Sequence, residues 1–535
     1  MDRHRALTTD HTANPDLARP LFDAGFYREA YGTAIGDSDP FEHFMGGGWR
    51  FGLNPNPFFD TRHYLTANPD VAAAGINPLL HYAMTGAAEG RSSVRRVART
   101  LQAHVLGATA PSNRAKDFGA AVDRREPIDA DTFEHLLRKV RSEAGPGRII
   151  SVSHDRYRVF TGGIQSLIAV EEEIFVSAGF GYLHLAPAAP LPLLAEADAE
   201  SAAFVVTLNG RDAGVVRLGT LLHILTARQN VWPDCRLIVH HLMSHAPEWI
   251  AAIAAHCGPG RPIVWIHDFF SLCPSYALLR NDVAFCGAPE PTSGACGICA
   301  YGGDRQSHLT RIRALFEALR PDVVAPSESA LRVWQERGGL PHAMAHVLPH
   351  ARLALGEPEL APVANWGSGP VRVAFVGTPL VHKGWYSFEA LAHRHFGDPR
   401  YEFYLFAVWS EGGRGVRHVP VEVLRDNRNA MVDALCRVAI DVVVNWTLCH
   451  ETFSLTTTEA LAAGCYVLLR RGSGNAWAQV RALGADHGAA LDSEIELQAL
   501  FASGEIIERA RRKRPSGRIV RSRGTADLIL PEVRT

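Results

Sequence analysis

Between residues 148 and 470 the chain alternates short β-branched and aromatic runs with longer amphipathic stretches, and it does so in two successive blocks. That alternation specifies strand–helix–strand units and parallel sheets. The first block predicts strands at Arg148–Ser153, Ala203–Leu208, Arg236–His240, Ile263–His267 and Val323–Pro326, with helices over Ile164–Ala178, Leu218–Arg228 and Leu309–Leu319. The second predicts strands at Val371–Gly377, Tyr401–Val408, Asp441–Trp446 and Tyr466–Leu469, with helices over Trp385–His395, Asn429–Ala439 and Leu455–Ala463. Residues 351–370, rich in Pro, Gly and Ala, read as the linker between the blocks. Two facing Rossmann-like domains with parallel sheets place a cleft at the carboxyl ends of both sets of strands, where ligands bind.

A chain of 535 residues exceeds one hydrophobic core, and about three domains are expected at roughly 100–200 residues each. The first is a small helical repeat module over 1–95, with units at about 20–55 and 58–95. Phe22-Asp23-Ala-Gly-Phe26-Tyr27 recurs as Phe59-Asp60-Thr-Arg-His63-Tyr64, Asp39-Pro40 with His43-Phe44 recurs as Asn77-Pro78 with His81-Tyr82, and Gly52 recurs as Gly90. Two units are fewer than a solenoid needs, so they pack on each other or on the next domain. A docking or self-association module and a structural cap fit them equally. A polar linker with a helix near Asp131–Glu143 fills 96–146, the first Rossmann-like domain 147–350, the second 351–505, and a basic tail 506–535.

The densest motif is His450-Glu451-Thr452-Phe453-Ser454-Leu455, continuing through Glu459-Ala460-Leu461 to Gly464. Ser454 is suited to cap a helix whose free N–H groups and dipole would receive a diphosphate. Glu451 falls in the loop before that helix and Glu459 more than one turn inside it, so two carboxylates can meet two hydroxylated parts of one ligand. In the second motif, Val371-Arg-Val-Ala-Phe-Val-Gly377-Thr378-Pro-Leu-Val-His382-Lys383-Gly384, a strand ends at glycine and a lysine follows before a helix. A cation so placed neutralises a departing phosphate.

These two segments resemble the Glu-x7-Glu region of retaining GT-B glycosyltransferases of the family 4-like, group 1 type. The resemblance covers roughly 148–500 and is most specific over 371–470. It implies that Glu451 meets the donor sugar, that Glu459 meets the ribose, and that Lys383 meets the phosphates. Gly163, Gly377, Thr452, Phe453, Ser454 and Leu455 would complete the donor site. The family often carries an arginine where Thr378 stands. The N-terminal repeat similarly resembles a module found in front of some bacterial polysaccharide glycosyltransferases.

Three further segments bear on the cleft. Thr161-Gly162-Gly163 precedes a helix and resembles the family's Gly-rich loop; glycines there allow close backbone approach. His267-Asp268 ends a strand, which puts both beside Gly162 on the acceptor side and gives His267 either a general-base role or a pocket-shaping one. His240, His241 and His245 precede them, with no carboxylate at a metal-binding spacing. Cys273, Cys286, Cys296 and Cys299 follow in a Cys-x12-Cys-x9-Cys-x2-Cys pattern inside an insertion over 270–303. Four thiolates at that spacing fit a structural zinc. Unligated thiols, a disulfide or an iron–sulfur cluster are the other readings.

The net charge of −2 excludes a molecule-wide nucleic-acid binder. Neither a dinucleotide fingerprint with its acid, nor a P-loop, nor Gly-x-Ser-x-Gly is present. The triplets Asp37-Ser-Asp39 and Asp129-Ala-Asp131 follow no long β-run, which argues against a GT-A metal motif. The first 20 residues lack an apolar run and no stretch suits a membrane span, so a cytoplasmic protein is expected. Eight Arg or Lys within 509–523 read as a solvated tail or as a peripheral contact with the inner face of a membrane. The resemblance implies transfer of a hexose from a UDP- or GDP-sugar, without catalytic metal, to a glycan or lipid-linked acceptor in bacterial surface polysaccharide synthesis. A nucleotide-sugar or glycan-binding protein on the same fold, or an epimerase, are the alternatives.

Overall fold

The computed structural model describes residues 14–56, 59–89, 91, 93, 110–115, 122–143, 145, 147–160, 162–227, 232, 235–356, 369–410, 415–424, 426–512 and 514–530. The chain forms two compact units, Met1–Gly107 and Ala108–Thr535.

In the first unit the repeat is visible as matched helix caps. Asp23 accepts from Phe26 N and Asp60 from His63 N, each at 2.9 Å. Helices Ala24–Ile35 and Pro40–Gly46 of one unit correspond to Thr61–Ala67 and Pro78–His81 of the other. Their aromatic residues share one core, with Phe22, Tyr27, Phe44, Phe59, Tyr64 and Tyr82 all buried. Tyr27 and Tyr64 each reach a histidine Nδ1, on His43 at 3.0 Å and His81 at 2.9 Å. The glycines that this geometry requires are Gly48 and Gly86. A Cβ on Gly48 would lie 2.3 Å from the Tyr27 hydroxyl, and one on Gly86 would lie 2.2 Å from that of Tyr64. The sequence pairing of Gly52 with Gly90 therefore missed the steric pair, and Gly90 lies outside the described residues.

The second unit holds two sheets. The strands of its first half are β1 (Arg148–Val152), β2 (Gly181–Pro187), β3 (Ala203–Leu208), β4 (Arg211–Arg217), β5 (Cys235–Val239) and β6 (Ile263–Trp265). A small hairpin, β7 (Leu279–Arg280) with β8 (Ala284–Phe285), precedes β9 (Asp322–Ala325), β10 (Ala345–Val347) and β11 (Ala351–Leu355). Those of the second half are β12 (Val371–Val376), β13 (Tyr401–Ala407), β14 (Val416–Pro420), β15 (Val442–Asn445), β16 (Tyr466–Arg470) and β17 (Gly488–Leu491), and β18 (Gly517–Arg521) follows. The first sheet runs β10-β9-β6-β5-β1-β2-β3-β4. It is parallel from β10 to β2, whereas β3 is antiparallel to both β2 and β4. The sequence expectation of purely parallel sheets thus fails at this edge, where a tight Asn209-Gly210 turn makes a hairpin instead of a helical crossover. The second sheet, β14-β13-β12-β15-β16-β17, is parallel throughout. Counted from β12, its order is that of a Rossmann fold, reversing between β12 and β15, where such sheets open a crevice.

Two expectations about chain boundaries are corrected. The linker begins later than 351, because β11 is a strand. The basic segment is not a solvated tail: β18 pairs antiparallel with β11, placing Leu353 opposite Ile519. The arginines there find carbonyl acceptors, as Arg514 does on Asp486 and Arg521 on Arg428. Beyond β18, Ala526 is buried against the first half's core with Tyr182 and Trp265. No helix among the described residues is long and apolar enough to cross a membrane.

Candidate functional site

The site grows from the carboxyl end of β15. Asn445 Nδ2 donates to Ser454 Oγ at 3.2 Å and to Thr457 Oγ1 at 2.9 Å. Ser454 caps the helix Leu455–Ala462 by accepting from Thr457 N. The preceding loop is clamped at Glu451, whose carbonyl accepts from Asn475 N at 2.8 Å. A second turn is fastened alongside, where Leu448 N donates to the His382 carbonyl at 2.8 Å. Gly384 makes that approach feasible. Its φ is +82°, and a Cβ there would stand 1.9 Å from the Trp446 carbonyl oxygen.

These fastenings bring together residues 68 apart in sequence: Lys383 Nζ lies 2.8 Å from Glu451 Oε1. Burial works against both charges, yet the pair outweighs it. Glu451 stays below the usual carboxylate range, and Lys383 is held above its ordinary value by Glu451, Cys449 and Tyr276. Gly377, at φ +99°, faces the start of the same helix, its Cβ position 3.4 Å from Thr456 Cγ2. Glu459 is buried further along the helix. Burial pushes its carboxyl up to about 7, with Arg521 of β18 pulling the other way. Thr378 is exposed beside Gly377.

The first half closes on this cluster. Gly162 and Gly163 open the helix Gly163–Ser177, and the Cβ position of Gly163 lies 3.6 Å from Leu455 Cδ1. Thr161 lies outside the described residues. Thr452 Oγ1 donates to the His267 carbonyl, Ser327 Oγ donates to the Thr452 carbonyl at 2.7 Å, and Ser329 Oγ meets His450 Nε2 at 2.7 Å. These contacts place the loop that carries Glu451 against the carbonyl of His267.

His267 does not stand free. Its Nε2 lies 3.1 Å from His240 Nδ1 and its Nδ1 lies 3.0 Å from His350 Nε2. Burial, and then His350 and His240, hold its pKa well below the ordinary value. Both ring nitrogens are committed, which fits the pocket-shaping reading of His267 better than the general-base one. Asp268 is likewise turned away, toward His241 Nε2 at 2.9 Å and Phe270 N. His245 Nε2 is spent on the Ser153 carbonyl at 2.7 Å.

The cysteine insertion reads in sequence as a structural zinc site, with unligated thiols, a disulfide or an iron–sulfur cluster as the other readings. Cys273, Cys286, Cys296 and Cys299 are free. No group of three or more His, Cys, Asp or Glu among the described residues is placed to hold a metal ion. Burial pushes the Cys273 thiol up to about 12 and raises that of Cys286. Arg305 fastens the insertion. It donates to the carbonyls of Leu272 at 3.2 Å and Pro289 at 2.6 Å, and to Cys296 Sγ at 2.8 Å.

The sequence reading missed His350, Glu171, Asn475 and Arg521. Only their positions in space connect them to the cleft, since each lies in a different element.

No protein-family model matches the chain, and no curated protein matches it in sequence. Among solved structures it is similar to HepE from Anabaena in complex with UDP-glucose, at 11% identity and a TM-score of 0.40, over 68% of this chain and 91% of that one. It is also similar to WaaG, a glycosyltransferase involved in lipopolysaccharide biosynthesis, at 13% identity and a TM-score of 0.40, over 68% and 94%. A third is a UDP-forming trehalose-phosphate synthase from Burkholderia vietnamiensis, at 12% identity and a TM-score of 0.38, over 68% and 91%. Likeness at this level speaks to neither activity nor ligand.

Proposed function

We propose that this chain is a retaining GT-B glycosyltransferase that moves a hexose from a nucleotide-diphosphate sugar to a glycan or lipid-linked acceptor of a bacterial surface polysaccharide. The observation that carries this reading is the Lys383–Glu451 pair at the topological switch point of a Rossmann-ordered sheet, beside the Ser454-capped helix. A cation, a carboxylate and a helix start then converge where a diphosphate and a sugar would lie.

In this reading the donor lies on the second half. Glu451 accepts hydrogen bonds from sugar hydroxyls and Glu459 from the ribose. As the glycosidic bond breaks, negative charge gathers on the leaving diphosphate. Lys383 and the N–H groups near Leu455 stabilise it, which is how preorganised dipoles lower a barrier. Thr378 supplies no charge, so Lys383 carries more of that load than it would beside an arginine. The acceptor enters past Gly162, His267 and Asp268. The contacts from Thr452, Ser327 and Ser329 hold the halves together and exclude water that would hydrolyse the donor. The acceptor's proton passes to the departing phosphate, so no enzyme nucleophile is needed.

The test is a thermal-shift screen of wild type and Glu459→Ala against UDP, GDP, dTDP, CDP and ADP. A ligand at a hundred times its Kd adds about 2.7 kcal/mol of stability. Stabilisation by one nucleotide, lost in the variant, is expected; Glu451→Ala should then abolish transfer with the fold intact. Response to none of the five would refute the donor site, and full transfer by Glu451→Ala would refute its role.

A further inference from the structure

Tyr276 is a large aromatic side chain left 43% exposed on a turn that is otherwise locked. Ser275 Oγ donates to the Leu279 carbonyl at 3.0 Å and accepts from Leu279 N at 3.1 Å, and Leu278 N donates to the Ser275 carbonyl at 2.8 Å. Leu278 is held at φ +52°, in the left-handed region, with its side chain buried in the core of the first half. A leucine keeps that conformation only where its surroundings enforce it. The fold thus fixes the backbone around Tyr276 and leaves the ring accessible.

The same turn borders the Lys383–Glu451 pair. Phe269 N donates to the Tyr276 carbonyl at 2.9 Å. The Phe269 ring lies 6.1 Å from that of His450, and Phe285, which pairs with Leu279 in the β7–β8 hairpin, stacks on His450 with centroids 5.7 Å apart. His450 directly precedes Glu451. The phenol and the Lys383 ammonium are close enough for each to act on the other's charge, and Asp268 acts on the phenol too. Burial first, then Asp268, raises the pKa of Tyr276 against the pull of Lys383, so the hydroxyl keeps its proton at neutral pH. Among the described residues no group accepts a hydrogen bond from it.

We propose that the Tyr276 hydroxyl donates a hydrogen bond to the leaving diphosphate beside Lys383, which makes it a phosphate-binding residue supplied by the first half.

The proposal rests on the donor site described under the proposed function. As the glycosidic bond breaks, its electron pair goes to the phosphate oxygen. Of the three N–H bonds on Lys383, one is spent on Glu451 at 2.8 Å and two are left for that charge. The lysine side chain is 40% exposed, so a ligand can reach it. A diphosphate carries more charge than one lysine can meet when a carboxylate already shares it. A neutral donor on a locked turn adds to the stabilisation without burying a second cation, and it needs no reorientation as the charge develops. Tyr276 keeps its proton throughout, so the acceptor's proton still passes to the phosphate.

Tyr276→Phe keeps the ring and removes the hydroxyl. Calorimetric titration of wild type and variant should use the nucleoside diphosphate that stabilises wild type, among UDP, GDP, dTDP, CDP and ADP, and its monophosphate. Diphosphate affinity should fall about tenfold or more, the scale of one hydrogen bond to a charged group. Monophosphate affinity and the melting temperature of the free protein should stay unchanged. Unchanged diphosphate affinity would overturn the contact and leave the donor site standing. An equal loss for both nucleotides would place the hydroxyl away from the terminal phosphate and overturn it as well. A lowered melting temperature without nucleotide would assign the hydroxyl to the fold instead. Binding of none of the diphosphates by wild type would sink the donor site and the contact together.

Discussion

Replacing Glu459 with glutamine should remove a pH-dependent loss of stability from the free protein. Glu459 is 6% exposed, in the second turn of the helix Leu455–Ala462. Burial, only partly opposed by Arg521, pushes its carboxyl from 4.5 to about 7. At 1.36 kcal/mol per tenfold change, ionising it in the folded chain costs on the order of 3 kcal/mol more than in the unfolded one. Between pH 4.5 and 7 the unfolded chain has lost this proton and the folded chain keeps it. Stability linked to the group is therefore fully present below pH 4.5 and drains as pH rises to about 7. Glutamine mimics the protonated form at every pH. Melting curves of wild type and Glu459→Gln, compared from pH 4 to 8.5, should diverge in the variant's favour by about 3 kcal/mol and then stay parallel above 7. Parallel curves from pH 4.5 to 7 would refute the reasoning. A ribose bound by ionised Glu459 adds a second signature: wild-type nucleotide affinity should climb as pH rises toward 7. The ratio to Glu459→Gln cancels the titration of the nucleotide itself.

Three shorter predictions bear on the same geometry. Lys383→Met should lower kcat by about 10²–10³-fold, the scale of removing one preorganised group from a developing anion, and should also lower the melting temperature, because it leaves the buried Glu451 carboxylate without its partner. Gly384→Ala should destabilise the second half by more than about 1 kcal/mol, because φ is positive and the new Cβ meets the Trp446 carbonyl; a wild-type melting curve would count against that close approach. In the N-terminal unit Gly48→Ala should destabilise through the Tyr27 hydroxyl, and Tyr27→Phe should recover part of the loss in a double-mutant cycle. Additive effects would exclude that contact.

The strands most legible in the sequence are those buried on both faces. β1, β5, β12, β15 and β16 are runs of Val, Ile and Leu with little alternation, and the sequence placed them within a residue or two. The helix Leu455–Ala462 was legible for a different reason: its cap and its glycine stop are local. β2 was hidden because Gly181–Pro187 runs into a proline-rich stretch that masks its period. β11 and β18 were hidden because neither makes a strand without the other, 166 residues away. The same limit applies to the site. Lys383, Glu451, Gly163 and His267 each sit beside a local signature of strand end, glycine or cap. The role of Arg305 was hidden because it lies outside the cysteine motif, which carries no information about it.

The segment that the sequence read as a tail has the broadest structural reach. Within five residues it supplies Arg521, which acts on Glu459, and Thr525, which holds Glu171. The two carboxylates lie in opposite halves, one under the helix Leu455–Ala462 and one behind His240. The segment from Arg521 to Thr525 thus acts on a buried acid in each half, through charge on Glu459 and through hydrogen bonds on Glu171. Its arginines explain why a basic composition gave the wrong expectation. Charge runs are solvated when nothing requires them, but β11 leaves an unpaired edge, and the backbone of β18 pairs with it, with Ile519 opposite Leu353. Pairing β18 to that edge buries Arg521 enough to lower its pKa, with burial the leading cause and Glu459 opposing it. The lowered pKa of Arg521 and the raised pKa of Glu459 have one leading cause, burial.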